Sequence, residues 1–371
     1  MKKRSTVLTL VIGVTFCCLS GNMKAGNPAR SGQAGASELL FDPWAGTSGF
    51  AGANSACVQG IEAQFLNVAG TVAMERTEVI IGNTDYLDGA GIHVAAAGLC
   101  QPVGKGSVLG LSVVSMNVGN INITTYDNPE GGIGYFTPSL INIGLSYAHS
   151  FTDAINGGIN VKLVSEAISN VHAFGVAIDA GIQYTAGAQR NIHFGIALKN
   201  VGPAMNYSGD GLAITAPMPT TPGIAGSSTG PTETVQERSQ SFELPSLVNI
   251  GAAYDFHLGK DSARKSVHRI TVAANFTSNS FIEDEEMLGV EYGFKSFLSI
   301  RLGYDYQQGI INDLSTNPTS GGRLTVFTGP CGGISLQYPV GKKHTVFGVS
   351  YAYRATNPYQ GCHTIGIKMD L

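Results

Sequence analysis

Charge is scarce in this chain: Asp, Glu, Lys and Arg together make up 13% of it, and the formal net charge is −4. No basic block stands out, which leaves nucleic acid without a binding surface. After the first 25 residues no apolar run approaches the ~20 residues of a membrane-spanning helix. His93, His149, His172, His193, His257, His268, His344 and His363 stand apart from one another, without a nucleophile elbow or metal-ligand spacing beside them. No catalytic site, metal or cofactor is therefore expected.

What the chain has instead is glycine, 49 residues of it, and long stretches that alternate. Ile141, Ile143, Leu145 and Tyr147 interleave with Asn142, Gly144, Ser146 and Ala148. Residues 155–166, 171–185 and 191–202 repeat the pattern, with an apparent change of phase at Val164. Period-two alternation is the mark of a strand with one apolar face. A soluble sandwich would bury that face in a core, whereas an outer-membrane barrel turns it to lipid and its small and polar face to the lumen. Runs of about 10–13 residues favour the barrel, because sandwich strands are typically about 5–6.

Strands are expected near 72–81, 90–101, 107–118, 139–150, 155–168, 171–185, 191–202, 245–257, 267–277, 286–295, 297–308, 329–339, 345–355 and 362–371, with a bulge near Val113–Val114 in the third. The predicted fold class is all-β: a transmembrane antiparallel barrel of about 14 strands, an even number as in bacterial barrels. The long connections, 119–138, 203–244 and 309–328, all fall on one end, which marks it as the external one. The chain closes on a strand with Ile365, Ile367, Met369 and Leu371 on one face. This resembles the terminal signal of outer-membrane proteins, though Leu371 stands where an aromatic residue is usual.

Lys2, Lys3 and Arg4 precede an apolar run from Val7 to Leu19 and then a polar patch, the layout of a secretory signal over residues 1–25, with cleavage after Ala25. Its removal would take away Lys2, Lys3, Arg4 and Lys24 and no anion, moving the net charge from −4 to −8. Residues 26–70 lack alternation but carry Phe41, Trp44, Phe50, Phe65 and Asn67, and these aromatics favour a segment folded inside the lumen as a plug over a solvated tail. The barrel proper is then residues 71–371.

Several features have competing readings. Charges on the polar faces (Lys162, Glu166, Asp179, Lys199, Asp255, Arg269, Glu291, Lys295, Arg301, Asp305, Lys368, Asp370) could line a selective pore, but their mixed signs favour mutual pairing. Cys57, Cys100, Cys331 and Cys362 would remain after processing in an oxidising compartment; Cys331 with Cys362 and Cys57 with Cys100 are the disulfides their places on the strand map allow, and free lipid-facing thiols are the alternative. The run Glu283-Asp284-Glu285-Glu286 is expected on an external loop without calcium-loop spacing. The long loop 203–244 is where a protein partner would dock.

The phrases Gly49–Ala56 and Phe65-Leu66-Asn67-Val68-Ala69-Gly70, with Leu66 and Val68 where the pattern has Trp and Pro, resemble the opening of the PorV/PorQ family. Leu140–Phe151, Gly158–Glu166, Ala177–Tyr184 and Phe194–Leu212 resemble its central strands. The resemblance implies a fourteen-stranded barrel related to the FadL fatty-acid transporters, working without catalysis in the type IX secretion system of Bacteroidetes. Its implied partners are the translocon barrel, the carboxy-terminal domains of secreted cargo or surface attachment proteins, besides outer-membrane lipid. Gly209, Asp210, Gly211 and Leu212, with the acidic run, are the expected partner contacts. A FadL-like transporter of small hydrophobic molecules is the competing reading, favoured if an apolar pocket lies among the plug aromatics; a surface lipid hydrolase is a weaker third.

Overall fold

The computed structural model describes residues 26–217, 232–260, 266–315, 322–340 and 345–371. The expected signal segment, with Cys17 and Cys18, lies outside them. So do parts of the loops at 203–244 and 309–328 and of the turns at 258–266 and 340–344.

Fourteen long strands close into one antiparallel barrel. In chain order they are β1 (Glu78–Tyr86), β2 (Ile92–Gly104) and β3 (Ser107–Asn117), then, after a small hairpin of β4 (Ile121–Asn122) and β5 (Tyr135–Phe136), β6 (Ser139–Ser150), β7 (Ile155–Ile168), β8 (Val171–Ala186) and β9 (Ile192–Val201). The longest connection carries β10 (Tyr207–Ser208) and a hairpin of β11 (Ala213–Pro217) and β12 (Thr232–Gln236). The wall resumes with β13 (Leu247–Lys260), β14 (Ser266–Asn279), β15 (Glu285–Phe294), β16 (Leu298–Gln307), β17 (Phe327–Val340), β18 (Thr345–Thr356) and β19 (Cys362–Asp370). β1 hydrogen-bonds to β2 on one side and β19 on the other, so no edge remains.

The outward faces are apolar and uncovered: Leu145 is 59% exposed, Ile182 58% and Leu302 66%. In water this belt would oppose folding, since each such side chain is worth about 1.5–3 kcal/mol when buried; against acyl chains it costs nothing. The inward faces are small or polar, and residues 26–77 fill the space between them with short helical turns at Ala45–Ser48, Ala63–Leu66 and Val68–Ala73. Wall glycines let the plug come close. A Cβ on Gly181 would stand 2.1 Å from Asn67 Oδ1, on Gly251 2.2 Å from Ser55 Oγ, and on Gly289 2.4 Å from the Phe50 ring. The abundance of glycine thus has a steric cause.

Three expectations need correction. The first strand begins at Glu78, not 72, because Val72 and Met74 pack on the plug core with Trp44 and Ile61; the barrel starts correspondingly later than residue 71. β3 runs through Val113–Val114 in unbroken register with both neighbours, and the irregularity sits at Pro102–Gly104 in β2. β7 does not change phase either: Asn160, Lys162, Val164 and Glu166 all turn inward.

Candidate functional site

The plug divides the lumen. Its upper part starts at the external end, where Ser31 Oγ donates to the Phe281 carbonyl at 3.3 Å and the Arg30 guanidinium lies 4.3 Å over the Phe281 ring. It descends to β1 at the end where the short turns lie. Asp42 Oδ1 accepts from the Trp44 amide (3.0 Å) and the Thr47 hydroxyl (2.9 Å), which starts the turn at Ala45–Ser48. Asn67 accepts from the Ala69 amide to start the turn at Val68–Ala73, and donates to the Ile182 carbonyl of the wall at 3.1 Å. Gln183 Nε2 donates to the Ser55 and Val58 carbonyls, and Ser55 Oγ to Asn275 Oδ1 at 2.5 Å. A plug built of bends exposes many backbone groups, and wall amides satisfy some of them: Gln183 those of Ser55 and Val58, and Asn249 the Leu66 carbonyl at 3.3 Å.

Two cavities flank this plug. The smaller, about 40 Å³, lies between Leu39, Phe41, Trp44 and Phe65 of the plug and Ser112, Val114, Asn142, Gly144, Asn160 and Lys162 of β3, β6 and β7. It joins an apolar lining to a polar floor. That floor is a fully buried network: Lys162 Nζ is 2.7 Å from Asp179 Oδ2 and donates to Asn200 Oδ1, and Asn160 donates to Asp179 while accepting from Gln64. Asn200, with a left-handed backbone (φ 59°), gives its own amide to Asp179 beside the register shift between β8 and β9. Lys199, also buried, holds its ammonium 3.8 Å from the centre of the Phe65 ring, an attraction that strengthens away from water.

The larger cavity, about 170 Å³, lies nearer the end with the short turns, between Gly46, Phe50, Cys57 and Glu62 of the plug and a charged stretch of wall. Glu291 accepts from Arg301 at 2.6 Å and pairs with Arg269; His193 and Asp255 meet at 3.1 Å. Burial pushes the Glu62 carboxyl, whose Oε1 accepts from the Gly46 amide at 3.3 Å, up to about 7.

Neither a protein-family model nor a curated protein sequence matches the chain. Solved structures do. The toluene transporter TbuX of Ralstonia pickettii superposes with a TM-score of 0.51 at 13% identity, over 89% of this chain and 98% of that one. The toluene transporter TodX of Pseudomonas putida gives 0.52 at 12% identity, over 89% and 97%. A Pseudomonas aeruginosa FadL homologue gives 0.50 at 13% identity, over 88% and 96%. The fold is FadL-type.

Within this FadL-type barrel the predicted residues scatter. Trp44, Phe50 and Asn67 are buried in the plug, and Phe41, Trp44 and Phe65 meet at the smaller cavity, while Phe50 lies against Gly289 and Gly303 on another side. Gly209 and the turn Asp210–Leu212 are surface residues over the β7–β8 turn, Gly211 donating to the Asn170 carbonyl. Of the acidic run only Glu283 and Asp284 belong to a loop; Glu285 and Glu286 open β15, and Glu285 accepts from Gln307 at 2.7 Å. Most of the wall charges pair as expected. Lys162 with Asp179 and Glu291 with Arg269 and Arg301 pair among themselves, and others take partners the alternation did not single out: Glu78 for Lys368, Arg354 for Asp305 and His193 for Asp255. Lys199 and Lys295 lie instead over the Phe65 and Phe294 rings, and Glu166 accepts from Tyr207.

The disulfide expectation fails. Cys57, Cys100, Cys331 and Cys362 are all free, and none faces lipid. Arg354 of β18 stands in register between Cys331 and Cys362, so the two thiols belong to strands two apart, about 10 Å, beyond the ~4.4–6.8 Å a disulfide spans. Cys57 packs with Phe50 and Ala253, Cys100 with Ile61 and Trp44, in separate clusters.

Proposed function

We propose that this chain is an outer-membrane transporter of small hydrophobic molecules, with the cavity at Phe41, Trp44 and Phe65 as its binding point and the plug as its gate. The observation that carries this reading is that cavity: three plug aromatics meet there, against the wall of β3, β6 and β7. Its ~40 Å³ is well below the roughly 150 Å³ in which benzene binds inside a protein. A ligand therefore enters only when the plug shifts, and then passes toward the larger, polar cavity. The toluene transporters that share the fold support the substrate class. The test is uptake of a labelled monoaromatic hydrocarbon by cells or proteoliposomes carrying the protein, compared with Ser112→Phe, which fills the cavity from the wall. Uptake that S112F abolishes is expected; uptake no faster than in empty vesicles refutes the proposal.

A second reading is the secretion adaptor of type IX systems, which would bind the translocon barrel, cargo carboxy-terminal domains or a surface attachment partner through the external loops. Its specific support is the β11–β12 hairpin, which is exposed along β12 and shows Ile214 and Val235 to solvent. Affinity purification from native outer membranes separates the two, since an adaptor brings down a large barrel or cargo and a transporter comes alone.

A further inference from the structure

Gly26 lies against the connection between β14 and β15, its backbone nitrogen donating to Asp284 Oδ2 at 2.7 Å. A side chain has no room there: a Cβ on Gly26 would stand 2.7 Å from the Ile282 carbonyl oxygen and 2.8 Å from Asp284. The next residues are tied to the same rim. Arg30 pairs with Glu243 at 2.8 Å, and Gly35 donates to the Glu243 carbonyl at 3.0 Å. This is the end of the barrel that carries the long connections, which in membrane barrels is the external one. The strand β1 starts at the opposite end, beside the chain's last strand.

A chain still tethered to the inner membrane by an apolar leader cannot have residue 26 at the outer rim, because the rest of the leader would have to cross the periplasm and the whole barrel. With residues 1–25 read as such a leader, the position of Gly26 calls for a cut close before it. We propose that the mature chain begins at Gly26 and that its α-ammonium is seated on the Asp284 carboxylate, so that the acidic run holds the protein's own N-terminus. The cut is hydrolysis of the Ala25–Gly26 amide by the leader peptidase of the export route: water adds across the bond, Ala25 leaves as a carboxylate, and the Gly26 nitrogen takes a proton. The donor that was an amide becomes a cation, and the amide–carboxylate hydrogen bond to Asp284 becomes an ion pair in which both partners are charged. Processing thus fastens the upper end of the plug.

The test expresses the full chain and takes the folded protein from outer membranes. Mass spectrometry of the N-terminal peptide is expected to start at Gly26. A membrane-impermeant amine-acylating reagent at neutral pH then measures access to that amine. The wild type is expected to acylate slowly, and Asp284→Asn several-fold faster; the asparagine keeps an oxygen for the Asn279 amide that Asp284 Oδ1 accepts at 3.3 Å. Gly26→Val, which removes the fit from the other side, is expected to match it, with heat-modifiable migration on gels reporting that each barrel is folded. A first residue other than Gly26, or equal acylation of wild type and variants, overturns the proposal.

Discussion

Replacing Glu38 by glutamine is expected to strengthen the seat of the plug at pH 8 and to leave it unchanged at pH 5. Glu38 is 7% exposed, one of its oxygens has no hydrogen-bond partner, and it faces Glu166, which already accepts from Tyr207. Burial, and then the neighbouring carboxylate, push its carboxyl from 4.5 up to about 7. The native state thus holds a proton that the released segment gives up between those two values. The contribution is fully present below 4.5 and is lost as pH rises through about 7. At about 1.4 kcal/mol per pH unit the loss amounts to about 3 kcal/mol. Glutamine keeps the shape without the ionisation. Trp44 is the sole tryptophan in the sequence and sits buried in the plug, so its emission during urea titration reports plug release apart from barrel unfolding. The wild-type midpoint is expected to fall between pH 5 and pH 8, and that of E38Q to fall less. Equal pH dependence in the two proteins, or an E38Q plug weaker at pH 8, would refute the reasoning.

Removing one partner of the Lys162–Asp179 pair leaves a buried charge alone, and Asp179→Asn is expected to cost about 3–5 kcal/mol in the same titration. Gly289→Leu would drive a side chain into the Phe50 ring and push the plug out; single-channel recordings in planar bilayers are expected to show larger conductance than the wild type, and an unchanged trace would remove the steric argument. The four thiols of residues 26–371 are expected to stay unreactive toward a thiol reagent until denaturant is added, with identical gel mobility whether or not reductant is present.

The wall was legible because lipid imposes a strict rule: one apolar residue in two, over runs long enough to cross. The rule failed where apolar residues answer to something else. Val72 and Met74 alternate like a strand but serve the plug, and Val114 faces inward because Trp44 and Ile61 give it an apolar neighbour there. The pairing of the wall charges could be anticipated from their mixed signs, but the identity of the pairs could not, since it depends on register between strands distant in sequence, as in Arg354 with Asp305.

The candidate site was half legible, and the missing half follows from how the plug is held. Aromatics in a glycine-rich leader announced a folded plug, and Phe41, Trp44 and Phe65 do converge. Nothing local in Gln64, Asn160 or Asn200 announced that these residues would form a buried polar floor beside them, because each finds its partner across the lumen: Gln64 meets Asn160 from 96 residues away. The consequence bears on mechanism. The plug is fastened to the wall mainly by polar bonds and by glycine-shaped clearances, with apolar clusters confined to a few places such as Trp44–Ile61 and Phe50–Ala53. Net hydrogen bonds are worth only about 0.5–1.5 kcal/mol each and can be exchanged for water, so a plug held this way can loosen locally without unfolding the barrel. On the transport reading proposed above, an element that blocks the lumen at rest and yields to a small apolar molecule needs that balance.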